Sequence, residues 1–387
     1  MRILVLSFYF EPDLCAGSFR ATALVRALQK AGSKKIDVLT TMPNRYHGFS
    51  AQAKTYEEGD GIFIRRVELP SHQSGLVDQI RCFKVYADTV IKEVQVGQYD
   101  LVFATSSRLM TAWLGARVAR KVKSPLYLDI RDIFADTVKD VFSGWKGSIL
   151  FPLLSMVERW TIRRADVVNI VSEGFRPYFE DRYGSLPLRV FTNGVDDEFL
   201  DFQFKKMSPK KESTPINVLY AGNIGEGQGL EHIVGPLAER LGDKVNFTIV
   251  GGGGRRKQLH DSIQGFENVE LLPPVNRTEL IKLYEQADVL FLHLNDYNAF
   301  LKVLPSKLFE YAATGKPILA GIAGYASNFT RTEIENAQVF APCDVDGGFQ
   351  AFKALLLEYT DRDQFKSKYA RRNIMQQMAH DILSNEY

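Results

Sequence analysis

The sequence predicts an α/β protein built on two doubly wound parallel sheets, and three observations carry that prediction. Short β-branched runs alternate with stretches of helical period through both halves of the chain. The first of these runs, residues 3–8 (ILVLSF), is continuously rather than alternately apolar, which marks a strand covered on both faces. A length of 387 residues, 45% hydrophobic and 24% charged, exceeds what one core usually serves, so two domains are expected.

In chain order, residues 3–8 give a strand, the spacing Ala21, Leu24, Val25, Leu28 gives one face of a helix, and residues 36–40 give the next strand. That is a β-α-β unit. Strands follow at 101–104, 126–129, 167–171 and 189–192, with a helix over 109–121. The rhythm restarts with a strand at 216–220, a helix at 229–241, strands at 245–250 and 269–272, a helix at 278–286, and strands at 289–293 and 318–320. The spacing Phe365, Tyr369, Met375, Met378, Ile382 predicts one helix from residue 360 onward. The turn signature Asn193-Gly194-Val195-Asp196 and the polar basic run 205–215 place the boundary near Asp196. The expected division is therefore 1–196, 197–365, and a terminal helix, 366–387, returning to the first domain.

With 48 Lys and Arg against 46 Asp and Glu, mostly interleaved, the net charge of +2 supplies no general field for a polyanion, and no nucleic-acid partner is expected. Cys15, Cys82 and Cys343 are too scattered for a disulfide framework or a metal cluster, which fits a reducing cytoplasm. The six histidines lack ligand spacing, so each is expected to be solvated or packed and no metal is inferred. The N-terminal run is too short for the core of a signal peptide. The most apolar stretch elsewhere, 149–157 (ILFPLLSMV), falls well below the roughly 20 residues that span a bilayer. It sits among Lys146, Arg159, Arg163 and Arg164, and reads either as a segment lying on an anionic membrane or as a core helix with basic edges.

The strongest chemical pattern is LPSKLFEYAATGKPILA, residues 304–320. Pro305-Ser306 reads as a helix start and Gly315 as its end. The free amides near Ser306 suit a phosphate, and Lys307 adds a full charge there. Glu310 lies one turn deeper on the same face, where a carboxylate can accept the hydroxyl protons of a ribose attached to that phosphate. An ordinary capped helix is the alternative. A second pattern, YAGNIGEGQGLEHIV over 220–234, sets Gly222, Gly225, Gly227 and Gly229 after a strand, in neither the dinucleotide nor the P-loop register. A third, VGGGGRRKQL over 250–259, contributes Gly252 with Arg255, Arg256 and Lys257. Three such loops in one domain point to a nucleotide phosphate site. In the first half, Gly17 and Ser18 open a helix that is again ready for an anion, and YLDIRDIFAD packs Asp129, Arg131, Asp132 and Asp136 into eight residues. Two mutually satisfied salt bridges would explain that density as well.

These landmarks stand in a specific order: PDLCAGSFR, DIRDIF, VSEGF (171–175), FTNGVDDEF (191–199), AGNIG, IVGGG, NVELLPPV (268–275), LYEQADVLF (283–291) and PSKLFEY. Over nearly its whole length the chain resembles the GT-B glycosyltransferases, specifically the large retaining family four. Within it the chain looks most like enzymes of bacterial O-antigen and capsule assembly that move an amino sugar such as N-acetyl-fucosamine. Their donor is a UDP-sugar and their acceptor a polyprenyl-diphosphate-linked saccharide.

The resemblance implies two Rossmann-like domains facing a cleft, hexosyl transfer with no cofactor or metal, and a cytoplasmic place at the inner face of the membrane. By position, Glu310 matches the second glutamate of the family's paired-glutamate motif, and Lys302 stands where the first would be. Asn223 and Gln228 stand where relatives carry an Arg and a Lys on the donor phosphates, while Ser306 and Lys307 match the phosphate-binding amides. The donor set is then Asn223, Gly225, Gln228, Gly252, Ser306, Lys307 and Glu310, with Gly17 and Ser18 in the N-terminal loop. The family's His aligns near Arg131, with Asp132 beside it, so Arg131, Asp132 and Lys307 are the catalytic candidates. A UDP-sugar 2-epimerase of the same fold and a silent nucleotide-sugar-binding subunit are the other readings.

Overall fold

A computed structural model describes residues 1–44, 52–70, 76–106, 109–133, 145–204, 214–384 and 387, with only the backbone of 76, 77 and 145–150. The chain divides into two compact units, one formed by Met1–Asn193 with Arg371–Tyr387 and the other by Gly194–Ala370.

The first unit runs β1 (Arg2–Leu6), α1 (Ala16–Lys30), β2 (Lys35–Thr41), β3 (Tyr56–Gly59), β4 (Ile62–Val67), α2 (Leu76–Glu93), β5 (Leu101–Thr105), α3 (Leu109–Val122), β6 (Leu126–Ile130), α4 (Trp145–Ile162), β7 (Val167–Ile170), α5 (Arg176–Tyr183) and β8 (Leu188–Val190). Its sheet has the order β3-β4-β2-β1-β5-β6-β7-β8 and is parallel except for β3 against β4. The continuous apolar runs of β5 and β6 are buried along their whole length, as strands covered on both faces must be. The β3–β4 hairpin was not anticipated. Its two-residue turn, Asp60-Gly61, has positive φ at both positions (50° and 78°), the geometry that matches strand twist and favours Asp-Gly.

The second unit runs α6 (Asp197–Asp201), β9 (Ile216–Asn223), α7 (Leu230–Leu241), β10 (Val245–Gly252), α8 (Arg256–Ser262), β11 (Val269–Leu272), α9 (Arg277–Gln286), β12 (Val289–His293), α10 (Lys307–Ala313), β13 (Ile318–Gly321), α11 (Gly324–Glu333), β14 (Ala337–Phe340), α12 (Val345–Lys353) and α13 (Asp363–Lys368). Its sheet is wholly parallel, ordered β11-β10-β9-β12-β13-β14. One apolar layer holds Leu290, Leu308, Phe309 and Tyr311, and the opposite layer holds Ile233, Leu237, Phe247 and Phe291. Strand order reverses between β9 and β12, so the carboxyl ends of these two strands flank the crevice where such sheets take ligands. At that edge β9 and β10 approach closely. A β-carbon on Gly251 (φ 154°) would sit 1.9 Å from the Gly222 carbonyl oxygen, so only glycine fits.

The single helix expected from residue 360 onward is instead two. Tyr369 and Ala370 leave helical geometry because Ala370 bridges to Val195 and the Val195 amide donates to the Tyr369 carbonyl at 2.8 Å. After that break α14 (Arg371–Ser384) buries Ile374, Met375, Met378, Ala379 and Ile382 in the core of the first unit, packed on α1. The chain changes unit at 193/194 and 370/371, against the expected 196 and 365, since this pairing keeps Val195 and Tyr369 with the second unit. Among the described residues no helix is long and apolar enough to cross a membrane.

Candidate functional site

The carboxyl edge of the second sheet gathers most of the residues singled out from the sequence. Asn223 ends β9 opposite Gly252 of β10, and the Ile224 amide donates to the Gly252 carbonyl at 2.8 Å. The glycine loop that follows is closed by its own side chains. The Asn223 Nδ2 and the Gly225 amide both donate to Gln228 Oε1, at 2.8 and 3.1 Å. Gly229 turns the chain into α7 with φ of 55°, against Asn295, whose Nδ2 donates to the Glu226 carbonyl at 2.9 Å. Arg255, expected to aim charge at this edge, is spent locally. It pairs with Glu226 and stands 3.7 Å from Glu231.

His293, at the end of β12, fastens this loop from below. Its Nδ1 lies 2.6 Å from the Gln228 carbonyl oxygen, and its Nε2 accepts from the Cys343 amide at 2.9 Å. An acceptor at Nε2 requires the proton to sit on Nδ1, so the ring is neutral. Burial drives its pKa down to about 4, against the opposing pull of the Gln228 carbonyl. The sequence marked this histidine only as solvated or packed, because its partners lie 65 and 50 residues away.

Between β9 and β12 stands a charged cluster. α10 is seven residues long and its cap, Ser306, makes no side-chain capping bond; beside this helix end Lys307 adds a full positive charge. The Lys307 side chain reaches the end of β9, its Cε 3.7 Å from where a β-carbon on Gly222 would lie. It is not an unmatched charge, however. Its Nζ is 2.9 Å from Glu310 Oε2 and 3.4 Å from the Tyr284 hydroxyl, which itself donates to Glu310 at 3.1 Å. Arg277, the first residue of α9, stands with Nη1 3.6 Å from Glu310 Oε1. Burial alone would push Glu310 up, yet Lys307 and Arg277 hold it down to about 2, so the carboxylate is ionised. Nothing along the chain marks Arg277, since a lone Arg opening a helix normally reads as solvated.

In the first unit Gly17 and Ser18 lie in the first turn of α1 and both are buried. The Ser18 hydroxyl finds no hydrogen-bond partner among the described residues. Arg131 follows β6, half-buried, its amide donating to Ser106 Oγ at 3.1 Å, with Asp132, Asp129, Arg20 and Cys15 as electrostatic neighbours. Asp132 is exposed, and Asp136 lies outside the described residues. Asp129 does not belong to a solvent-facing site. It is 1% exposed and locked to Arg20 of α1, a partner outside the 129–136 segment rather than one of the mutual bridges expected within it. The structure thus brings Asn223, Gly225, Gln228, Gly252, Ser306, Lys307 and Glu310 to one edge of one sheet, and Gly17, Ser18, Arg131 and Asp132 belong to the other unit.

Comparison with known proteins agrees with this architecture. Residues 17–194 match the family described as glycosyl transferase 4-like domain, and residues 201–372 match glycosyl transferases group 1. The putative colanic acid biosynthesis glycosyl transferase WcaI of Escherichia coli (strain K12) is 39% identical over 101 residues, 25% of this chain. The match spans only 24% of that curated relative's length. Among solved structures, Anabaena Alr3699/HepE in complex with UDP and glucose superposes with a TM-score of 0.68 at 17% identity, covering 100% of both chains. WaaG, a glycosyltransferase involved in lipopolysaccharide biosynthesis, gives 0.59 at 14% identity, covering 98% of this chain and 95% of that one. The first half thus carries a glycosyl transferase 4-like domain and the second a glycosyl transferases group 1 domain, and together their two Rossmann-like α/β units make the GT-B fold.

Proposed function

We propose that the protein is a retaining glycosyltransferase that moves an N-acetylated amino sugar from a UDP-sugar to a polyprenyl-diphosphate-linked saccharide during assembly of a bacterial surface polysaccharide. The observation that carries the reading is the ionised, buried Glu310 beside Lys307 at the point where strand order reverses. In this reading Glu310 accepts the ribose hydroxyl protons. Lys307 and the amides at Ser306 take the diphosphate, and the Asn223–Gln228 pair and Gly252 shape the floor beneath it. Loss of the sugar leaves negative charge on the diphosphate, and fixed cations and amides are the means of stabilising that charge without reorganisation. The departing diphosphate takes the acceptor's proton, so no protein nucleophile is required, and Arg131 and Asp132 attend the acceptor side. UDP in the Anabaena neighbour and colanic acid in the name of the Escherichia coli relative support the donor class and the pathway class.

A panel of UDP-sugars tests this directly. The true donor at 100 times its dissociation constant adds about 2.7 kcal/mol of thermal stability. Labelled donor with a lipid-linked acceptor then separates transfer from 2-epimerisation and from binding alone. If no uridine nucleotide stabilises the protein, the reading is lost.

A lipid-linked acceptor puts the enzyme at the inner face of the cytoplasmic membrane, and one surface of the first unit suits that position. α3 and α4 pack together, and where they meet a groove is lined by Trp113, Arg117, Arg120, Lys121, Met156 and Trp160. Leu153 and Met156 are exposed, Arg117 lies over Trp113, and Arg164 lies over Trp160. The single carboxylate of these two helices, Glu158, is buried, accepting from the hydroxyls of Tyr178 and Tyr183. An apolar stripe with aromatics and no exposed acid fits an anionic leaflet, at about 1 kcal/mol for each basic residue near it. Reversing Arg117 and Arg120 to Glu is expected to weaken binding to vesicles containing phosphatidylglycerol by at least tenfold. The same reversals at Lys30 and Lys34 serve as the control. Equal binding by both variants in a flotation assay would remove this surface from the account.

A further inference from the structure

Glu310 has two cationic partners, and they are held very differently. Arg277 is anchored on three sides. Its Nε donates to Glu198 Oε2 at 2.7 Å, its Nη2 donates to Asp196 Oδ2 at 2.6 Å, and its guanidinium lies 4.4 Å from the centroid of the Phe199 ring. Only its remaining nitrogen, Nη1, faces Glu310 Oε1. Lys307 meets the other oxygen, Oε2, through a flexible four-carbon stem, with the Tyr284 hydroxyl as a longer contact at 3.4 Å. A planar fork engaged by two other carboxylates stays where it is, whereas an ammonium on a free stem can turn to a new anion.

We propose that the two cations divide the work: Lys307 leaves Glu310 for the diphosphate of an incoming nucleotide, while Arg277 stays and keeps the carboxylate in place for the ribose. Arg277 is then a positioning residue, and Lys307 is a carrier of charge between two anions. This inference rests on the donor site proposed above and adds what that reading lacks, a reason for the second cation. A buried carboxylate that lost its lone partner would be left uncompensated or would take up a proton. With Arg277 in place neither happens, so Lys307 can move without disabling the group that grips the sugar. The groups facing Glu310 are Lys307 from α10 and Arg277 and Tyr284 from α9, with Asp196 and Glu198 behind the guanidinium and Tyr311 a weaker electrostatic neighbour whose hydroxyl accepts from the Ala221 amide. Among these, Lys307 is the cation able to turn.

The test compares UDP with uridine, which has the ribose but no phosphate, on the full chain. K307M is expected to lose roughly tenfold to a hundredfold in UDP affinity and to hold uridine within about twofold, since its charge serves the phosphate. R277M is expected to weaken both ligands, with R277K recovering part of the loss. Calorimetry near pH 7 in two buffers of different ionisation enthalpy should show R277M taking up more protons than wild type on binding UDP, because its carboxylate protonates as Lys307 departs. A merely structural arginine would leave that proton count unchanged. Equal losses for UDP and uridine in K307M, or an unchanged proton count in R277M, overturn the inference. Failure of wild type to bind UDP overturns instead the donor reading on which it rests.

Discussion

Replacing Arg20 by Met should destabilise the first unit by about 3 to 5 kcal/mol, the range for removing one partner from a buried ion pair. Arg20 is 1% exposed, and its Nε and Nη2 meet the two oxygens of Asp129, each at 2.9 Å. The same guanidinium donates to the carbonyls of Phe191 and Thr192 at 2.7 Å, just before the chain leaves the unit. Burial opposes ionisation of Asp129, but Arg20 and Asn169 hold its carboxyl below the usual range. Without Arg20 the carboxylate keeps Asn169 Nδ2 at 2.7 Å and the Thr105 hydroxyl at 3.2 Å, too little to offset a buried charge. Urea unfolding should show the loss as a lowered midpoint with an unchanged slope. Pairing R20M with D129L should restore much of it, because two apolar groups leave no stranded charge. A loss under about 1 kcal/mol in the single variant would mean that the pair is not buried as described.

Acid should loosen the glycine loop through His293. The ring's pKa falls from 6.5 in the unfolded chain to about 4 in the folded one, so between those values the unfolded state binds the extra proton. Stability from the neutral ring is therefore complete above pH 6.5 and is lost as pH falls toward 4. The linked free energy is about 3 kcal/mol at 1.36 kcal/mol per pH unit. H293Q keeps a donor and an acceptor but cannot titrate. Its stability should therefore fall less than that of wild type across this window, by about that amount. Protection of the Gln228 and Cys343 amides, taken relative to the intrinsic exchange rate at each pH, should fall in acid for wild type and not for the variant. Parallel pH profiles for the two proteins would exclude His293 as the source.

Both effects turn on groups whose importance was hidden in the linear chain. Asp129 looked like one more member of a dense polar stretch after a strand, and His293 like a packed ring. Along the chain Lys307 and Arg255 read as charges with no partner, whereas in the fold each faces a carboxylate. The missed hairpin is a different case. The Asp60-Gly61 turn is written in the sequence, but β3 is a short outer strand with no buried residue to give it an apolar period.

Local chemistry controls the features legible along the chain: continuous apolar runs form buried parallel strands, helical spacing forms amphipathic helices, and glycines fall where strands end. Those features repeat within a few residues, so they can be read without knowing what packs against them. Tertiary structure alone decided which charges are matched. Arg20 finds Asp129 across 109 residues, and Arg277 finds Glu310 in another helix. It also decided where the last helix breaks, since Ala370 pairs with Val195. An ion pair or a strand bridge depends on distance in space and on the water it excludes, and neither is encoded in the spacing of residues along the chain.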